Sequence, residues 1–441
     1  MKKRVRCCLL AAAAAVLLSG CGMRTVDQMY RVPRRSESYS HVESAMDMAM
    51  AGLTFAAPVS GENQQNVQLA DINGDGVEEY ILYARGNSEK PLNMLIFTMD
   101  EEETCYLMEV IELNGSAFQR VEYVDIDDQP GKEIVVGRSV SDQIMGAVSV
   151  YSLASGEAER IMNTTYSAFL TCDMDQDGSS EVVVIQSGED ASAKAVATRY
   201  RFDNGAMVRS SEQETSTFPM DIKRLSAGAL QDGSPAVYLS SAPDSYTIAT
   251  DVFALRKGRF QNITAARGNG NMVSTLQNYY IYPTDIDDDG ILEMPSLIDM
   301  KSVTDQPSGY GQYLIRWYSV DVQGREWTKR YTVHDYAGGW YLQLDSSFAS
   351  RISVEQEGNT NTFYLWDREG REAVILFRIY AFSGSGRSEE TVQDGRFPLY
   401  RKEGVAFAAK LAPAAEEFGI TQEYLINSFR PIYQDWNTGE T

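Results

Sequence analysis

The chain has 441 residues, of which 43% are hydrophobic, so it can bury a substantial core and is not globally disordered. Its length leaves room for two or three domains. It carries 62 acidic against 39 basic residues, a net charge of −23. Such a surface repels phosphate backbones, so we expect no nucleic-acid partner.

The beginning of the chain has the pattern of an export signal. A basic start (MKKRVR) precedes a short apolar run that ends at Leu18, and the small residues Ser19 and Gly20 stand before Cys21. The run is too short for an ordinary membrane-spanning helix, although a plain signal peptide or a short anchor helix also fits. The last residues resemble the lipobox of bacterial lipoproteins, which implies removal of residues 1–20 and acylation of Cys21. We therefore expect an extracytoplasmic protein, lipid-anchored to the cell membrane at the cell envelope or surface.

The lipidated N-terminus is predicted to continue as a tether over residues 21–62. The polar segment around residues 33–38 lacks a hydrophobic period, which is typical of a flexible spacer. Residues 42–51 (VESAMDMAMA) predict either a short helix or the start of the first folded unit.

Five cysteines are present, and Cys7, Cys8 and Cys21 belong to the export signal and its lipid anchor. The remaining two, Cys105 and Cys172, could pair in an oxidising compartment. The repeat units described next place them in different units, which favours two buried free thiols.

An acidic segment recurs along the chain with side-chain oxygens at positions 1 and 3, mostly also at 5, and a glutamate at position 9. The four copies are Asp71–Glu79, Asp125–Glu133, Asp173–Glu181 and Asp285–Glu293. Their first positions are 54, 48 and 112 residues apart, so the last gap holds about two periods. A degenerate copy at Gly228–Ala236, which keeps Asp232 and Gly233, divides that gap into 55 and 57. Recurrence of the same acidic positions at a regular period predicts a repeat architecture.

The spacing of these oxygens suits a hard cation. Oxygens at positions 1, 3 and 5 of a tight loop, a backbone carbonyl at 7 and a carboxylate at 9 favour Ca²⁺ over transition metals. An EF-hand instead needs an acid at position 12 and flanking helices. Position 12 holds Leu82, Val136, Val184 and Ser296, and short β-rich runs follow the first three loops, so the EF-hand is rejected.

This loop between two strands, repeated every fifty-odd residues, resembles the FG-GAP/VCBS repeat of integrin-α-like propellers over roughly residues 65 to 330. The resemblance implies calcium ligands in three loops: Asp71, Asn73, Asp75 and Glu79; Asp173, Asp175, Asp177 and Glu181; and Asp285, Asp287, Asp289 and Glu293. The second loop departs at Gln129 and Pro130, so Asp125, Asp127 and Glu133 are expected to bind more weakly. The degenerate copy is expected to bind nothing. The alternative is that the carboxylates only form Asx-turns.

Each repeat divides into four strands, as in 67–72, 80–84, 93–98 and 106–113 of the first copy, and 279–286 is expected to open the fifth. Four-stranded sheets arranged radially form a propeller. We therefore predict a mainly β fold, with a β-propeller of five countable blades over residues 63–333. Residues 334–441 are predicted to be a small α+β domain of no recognised family, with a helix capped by Thr421.

The functional expectation is a membrane-anchored, non-catalytic binding, adhesion or scaffold module with a protein or glycan partner. The chain has only two histidines, His41 and His334, and lacks Gly-x-Ser-x-Gly, Walker and dinucleotide motifs, which argues against an enzyme. The alternative is a carbohydrate-binding or carbohydrate-active surface protein. For that role Trp340, Tyr364 and Trp366 could form a sugar platform, although aromatic side chains at strand spacing also suit a core.

Overall fold

The computed structural model describes residues 37–100, 102, 104–140, 146–188, 193–265, 275–278, 281–303 and 312–432. These residues form six antiparallel sheets and little helix. Within these ranges no helix has the length and apolar character needed to cross a membrane. The predicted signal, Cys21 and the first part of the predicted tether lie outside the described residues.

Five sheets follow one another along the chain, and the strands of each are joined in sequence order as a meander. The first three sheets contain β1 (Thr54–Phe55), β2 (Val67–Ala70), β3 (Glu79–Arg85), β4 (Leu92–Met99) and β5 (Cys105–Leu113); β6 (Ala117–Val124), β7 (Glu133–Ser139), β8 (Gly146–Ser152) and β9 (Glu159–Tyr166); and β10 (Ala168–Cys172), β11 (Glu181–Gln186), β12 (Val196–Asp203) and β13 (Ala206–Glu214). In the first sheet both β1 and β2 pair with β3.

The fourth and fifth sheets continue this order. They contain β14 (Asp221–Ala229), β15 (Pro235–Ala242), β16 (Ala249–Arg256) and β17 (Arg259–Asn262); and β18 (Met294–Ile298), β19 (Gln312–Val320), β20 (Glu326–Asp335) and β21 (Trp340–Leu344), to which β27 (Phe429–Pro431) is added at the edge. Each predicted repeat unit thus corresponds to one sheet. The predicted strand 279–286 is not formed, since its described residues make only the isolated bridge Thr284–Glu293.

The second strand of each meander is buried almost along its whole length, as in EVVVIQ of β11. Strands covered on both faces read as continuous apolar runs because neither face meets water. The burial therefore indicates that successive sheets pack face to face.

Buried clusters confirm this packing for each successive pair. Tyr83 and Phe118, whose ring centroids lie 5.0 Å apart, join the first sheet to the second, and Val148 and Val184 belong to the cluster between the second and third. Further clusters join the third sheet to the fourth and the fourth to the fifth. Consecutive four-stranded meanders packed in this way are propeller-like.

The row of sheets begins at helix α1 (Glu37–Ala49), whose Val42 is buried against Leu82 and Phe97 of the first sheet. Residues 37–62 lie within the predicted tether, yet α1 packs its apolar side chains onto the open face of the first sheet, and β1 joins that sheet by pairing with β3. No hydrophobic cluster of the described residues joins the first sheet to the fifth or sixth. The buried contacts of the described chain therefore run from the first sheet to the last without returning.

The last part of the chain contains β22 (Ile352–Glu357), β23 (Thr360–Trp366), β24 (Ala373–Ser383), α2 (Arg387–Glu390), β25 (Phe397–Lys402), β26 (Val405–Leu411), a 3₁₀ helix (Pro413–Phe418) and α3 (Gln422–Ser428). Its strands form the sixth sheet in the order β22-β23-β24-β26-β25. This sheet packs on the fifth through one large cluster that includes Trp340, Phe363 and Phe377. The Thr421 hydroxyl accepts from the Tyr424 N–H at 3.0 Å and caps α3. The predicted boundary between residues 333 and 334 falls inside β20, which belongs to the fifth sheet.

Candidate metal centres in the acidic loops

In the first three sheets the acidic segment connects the first pairing strand to the covered strand after it, and in the fifth sheet it connects Thr284 to β18. In each case the glutamate at position 9 is the residue at which pairing resumes. The glutamates are paired in register as Ala70–Glu79, Val124–Glu133, Cys172–Glu181 and Thr284–Glu293. This placement at the end of a covered strand buries all four, with exposed fractions between 0% and 4%.

One contact repeats in all four loops. The backbone N–H at position 2 donates to one oxygen of the position-9 carboxylate, and the donors are Ile72, Ile126, Met174 and Ile286, at 3.1, 2.8, 2.7 and 3.1 Å. Each donor residue has a buried apolar side chain. The glutamate is thereby fixed with its carboxylate inside the loop.

The aspartates also organise the turns. Asp71 accepts from the N–H groups of Gly74 and Gly76 at 2.8 and 2.9 Å, and Asp173 and Asp285 accept from the equivalent part of their loops. The Asx-turn alternative is therefore observed as a set of hydrogen bonds. It does not exclude metal binding, because a carboxylate has about four lone-pair sites.

Position 4 has a left-handed backbone in every loop, with φ of 78° at Gly74, 57° at Asp128, 60° at Gln176 and 60° at Asp288. No role was predicted for position 4 from the sequence. Asn, Asp and glycine tolerate this conformation best, so the polar residues at position 4 were the available signal.

Three loops bring carboxylates together so that one oxygen from each lies within 4.8 Å of the others. These groups are Asp125, Asp127 and Glu133; Asp173, Asp175 and Glu181; and Asp285, Asp287 and Asp289. The second loop, expected to bind more weakly, therefore forms as compact a group as the others. Asp177 is absent from the third group and Glu293 from the fourth.

The first loop forms no such group among its described carboxylates. The side-chain amide of Asn73 lies between two of them and donates to Asp75 at 3.2 Å and to Glu79 at 2.9 Å. The Thr98 hydroxyl adds a second side-chain hydrogen bond to Glu79 at 3.1 Å. Uncharged hydrogen-bond donors of the protein thus partner the carboxylates of Asp75 and Glu79 in this loop.

Basic side chains reach two of the loops. In the third loop the Arg199 guanidinium bonds both Asp175 and Glu181. In the fourth, Lys329 lies 2.8 Å from Asp289 and Arg330 lies 3.4 Å from Asp287. The bond from Lys329 holds the pKa of Asp289 below its usual value. These cations would compete with a metal ion.

Burial, with a smaller contribution from neighbouring aspartates, raises the pKa of Glu133 to about 7 and that of Glu293 to about 7. Burial also raises the pKa of Glu79. In the fourth loop, Glu293 Oε1 and Asp287 Oδ1 are buried and accept no hydrogen bond within the described part of the chain. Buried oxygens of this kind normally have a partner, and a cation would supply one. The donor set of this loop therefore fits a hard metal ion.

The loops also contact one another along one edge of the row. The N–H at position 8 donates to the carbonyl at position 1 of the preceding loop, from Lys132 to Asp71 at 3.0 Å and from Ser180 to Asp125 at 2.7 Å. The fourth acidic loop makes the same contact, from Leu292 to Ala229 of the degenerate copy at 3.3 Å. Each loop is thus partly shaped by its neighbour.

The degenerate copy is one residue shorter than the others. Gly228 pairs with Ala236, so Ala236 stands where the other loops have the position-9 glutamate. Position 8 is then Pro235, which has no N–H to donate to the third loop. The sequence comparison matched Asp232 and Gly233 to the other loops and therefore did not show the missing residue. The remaining acid, Asp232, accepts from Ser234 at 3.2 Å and Val322 at 3.3 Å.

The other predicted functional residues are dispersed. Trp340 is 1% exposed within the core between the fifth and sixth sheets, so it cannot form a sugar platform with Tyr364 and Trp366. Its indole stacks on Phe429 instead. Lys301 Nζ lies 3.8 Å from the ring centroid of Trp366.

The two cysteines and the two histidines also lie apart. Cys105 on β5 and Cys172 on β10 are in different sheets, and both are free thiols. Cys105 is buried as predicted, whereas Cys172 is half-buried. His41 is exposed on α1, whereas His334 is fully buried on β20.

No protein-family model matches the chain, and no curated protein matches it. Three solved structures share 12% identity with it: rhamnogalacturonan lyase YesW (TM-score 0.31, covering 83% of this chain and 89% of that one), the Dos1 propeller (0.27, 78% and 81%) and the β-propeller domain of the Trilobed protease from Pyrococcus furiosus (0.28, 79% and 93%). The last two are propellers by their descriptions. At TM-scores near 0.3, the propeller-like interpretation of this chain rests on its own sheet order and packing.

Proposed function

We propose that the chain is an extracytoplasmic lipoprotein, anchored through Cys21, whose FG-GAP-like sheets form a calcium-stabilised, non-catalytic binding module. The observation that carries the metal part is the pair of buried carboxylate oxygens without hydrogen-bond donors, Glu293 Oε1 and Asp287 Oδ1. A divalent cation in the loop would bind both and offset the cost of their burial.

Calcium is the metal that best suits this chemistry. The side-chain donors of the loops are oxygens, and no described histidine or cysteine lies in any of the three carboxylate groups. Hard oxygen donors on a flexible loop favour Ca²⁺ over Zn²⁺ or Cu²⁺. Mg²⁺ is disfavoured because it demands near-ideal octahedral geometry and retains its waters.

A binding role is supported by exposed apolar side chains on turns of the fourth sheet. Phe218, Met220 and Tyr246 are 49%, 67% and 80% exposed, and they flank β14 and the turn after β15. Apolar side chains on the turns of a rigid sheet are typical of a recognition surface.

The metal part is tested by thermal unfolding of residues 22–441 in Ca²⁺, in Mg²⁺ and in EDTA. Free Ca²⁺ at one hundred times the dissociation constant adds about 2.7 kcal/mol to the free energy of unfolding per site. We expect Ca²⁺ to raise the unfolding temperature, Mg²⁺ to raise it less, and EDTA to reverse both effects. Identical unfolding temperatures in all three would contradict a calcium site.

The anchor is tested separately in cells that express the full chain. An alkynyl fatty acid should label the wild-type protein. The labelled protein should be found in the membrane fraction and should be released from it by detergent. The variant Cys21→Ser should remain unlabelled. Equal labelling of both would refute acylation at this residue.

A further inference from the structure

A cleft of about 480 Å³ lies between the third and fourth sheets. Its walls are β12 and β13 on one side and β17 with its preceding turn on the other. Three arginines line it, Arg199, Arg201 and Arg259, and no carboxylate does.

This composition contrasts with the rest of a chain that carries 62 acidic residues. The Arg199 guanidinium is already neutralised by Asp175 and Glu181. Within the described residues, Arg201 and Arg259 form no ion pair, and both are exposed. They lie on opposite walls of one cleft, and Arg201 also borders the neighbouring pocket that carboxylates of the second and third acidic loops line.

The neutral lining adds hydrogen-bonding groups of another kind. Ser211, Gln213 and Gln261 offer a hydroxyl and two amides. Gln213 donates its amide N–H to the carbonyl of Glu212 at 2.7 Å, which leaves its Oε1 to accept from a ligand hydroxyl. Guanidinium groups bind carboxylates in a bidentate fork, and hydroxyl and amide groups suit sugar hydroxyls.

We propose that this cleft binds an acidic saccharide, with the ligand carboxylate between Arg201 and Arg259 and the ring hydroxyls against the amides. The volume lies within the range of small-ligand sites. The inference rests on the proposed role as a binding module and names its ligand class. The proposed carboxylate contacts use Arg201 and Arg259 and not Arg199, which bonds the third acidic loop.

The test uses titration calorimetry on residues 22–441 with a diuronic acid, its methyl ester and inorganic phosphate as probes. The double variant R201Q/R259Q is compared with R209Q, because Arg209 is an exposed arginine of the same sheet that does not line the cleft. Loss of one charged hydrogen-bonded contact weakens binding about tenfold. We expect the ester to bind at least tenfold more weakly than the acid, the double variant to lose at least tenfold in affinity, and R209Q to match the wild type.

Each other outcome overturns the proposal. Equal binding of acid and ester removes the carboxylate from recognition, and binding of phosphate without the diuronic acid assigns the cleft to another anion. Absence of binding, or equal losses in R209Q, excludes the cleft as the site. Unfolding temperatures with and without Ca²⁺, measured on the same samples, show independently whether the calcium part of the proposed function stands.

Discussion

The guanidinium of Arg199 bonds the carboxylate of Glu181 inside the third acidic loop, at a point where three other sheets have an apolar side chain. Arg199 pairs with the residue two places after the glutamate, and Ile96, Val150 and Trp317 occupy that place in the first, second and fifth sheets. The third loop therefore carries its own cation on the neighbouring strand.

Replacing Arg199 with methionine should increase the effect of calcium on stability. Without metal, R199M leaves Asp175 and Glu181 unpaired, and breaking a buried pair costs about 3–5 kcal/mol. With Ca²⁺, the metal takes the place of the guanidinium. We expect a lower unfolding temperature in EDTA than for the wild type and a larger rise on adding Ca²⁺.

The matched control is R209M, which removes an exposed arginine whose partner is Glu212. Exposed pairs contribute about 0–1 kcal/mol, so this variant should behave like the wild type in both conditions. If R199M and R209M respond to Ca²⁺ equally, Arg199 does not compete with metal.

Replacing Glu293 with glutamine should remove one calcium site. The change keeps the size of the side chain but takes away the charge and one of the two oxygens. Calorimetric titration should show one fewer Ca²⁺ per chain. The variant E326Q serves as control, since Glu326 lies at the surface and pairs with Arg316. An unchanged stoichiometry in E293Q would exclude the fourth loop.

His334 should make unfolding depend on pH. Burial lowers the pKa of His334 to about 3, so the folded state keeps a neutral ring while the unfolded chain takes up a proton near pH 6.5. The stability from this residue is present above pH 6.5 and is lost as pH falls, by up to about 1.4 kcal/mol per pH unit. Between pH 6.5 and 5, chemical denaturation of H334Q should show a shallower decline than the wild type. Parallel declines would contradict this.

The buried ring of His334 is held by a short chain of side-chain hydrogen bonds. Trp317 Nε1 donates to the Thr332 hydroxyl at 2.7 Å, and that hydroxyl lies 2.7 Å from His334 Nε2. The hydroxyl accepts from the indole, and because a hydroxyl can both donate and accept, its contact with Nε2 suits either neutral tautomer of the ring.

The two thiols should be inert in the folded protein. Burial raises the pKa of Cys172 to about 12 and also raises that of Cys105. Because the thiolate is the reactive form, Ellman's reagent at pH 8 should label residues 22–441 slowly under native conditions. In denaturant two thiols should react at once. Fewer than two would indicate a disulfide.

The strands and the loops were predictable from sequence because they depend on local patterns. Alternation and β-branched runs located β3, β7 and β11, and the nine-residue spacing located the buried glutamates. These features are set by residues next to each other in the chain.

Contacts between distant residues were not predictable in this way. Arg199 follows Glu181 by eighteen residues and is brought to it only by strand pairing. The position of α1 on the first sheet and the deletion before Pro235 likewise depend on packing and register. The location of Trp340 was not predictable, because aromatic residues at strand spacing occur both in a buried core and on an exposed sugar-binding surface.

The missing N–H of Pro235 interrupts the line of backbone bonds between neighbouring loops, and a side-chain bond from the Gln176 amide to the carbonyl of Gly233 at 3.5 Å joins the third loop to the degenerate copy instead. The first three loops share backbone bonds, so tightening of one is transmitted to the next through the carbonyls of Asp71 and Asp125. The loop containing Glu293 makes its one backbone bond to another loop with the degenerate copy, within the described residues. Metal occupancy of the first three loops is therefore expected to be more cooperative than occupancy across the degenerate copy.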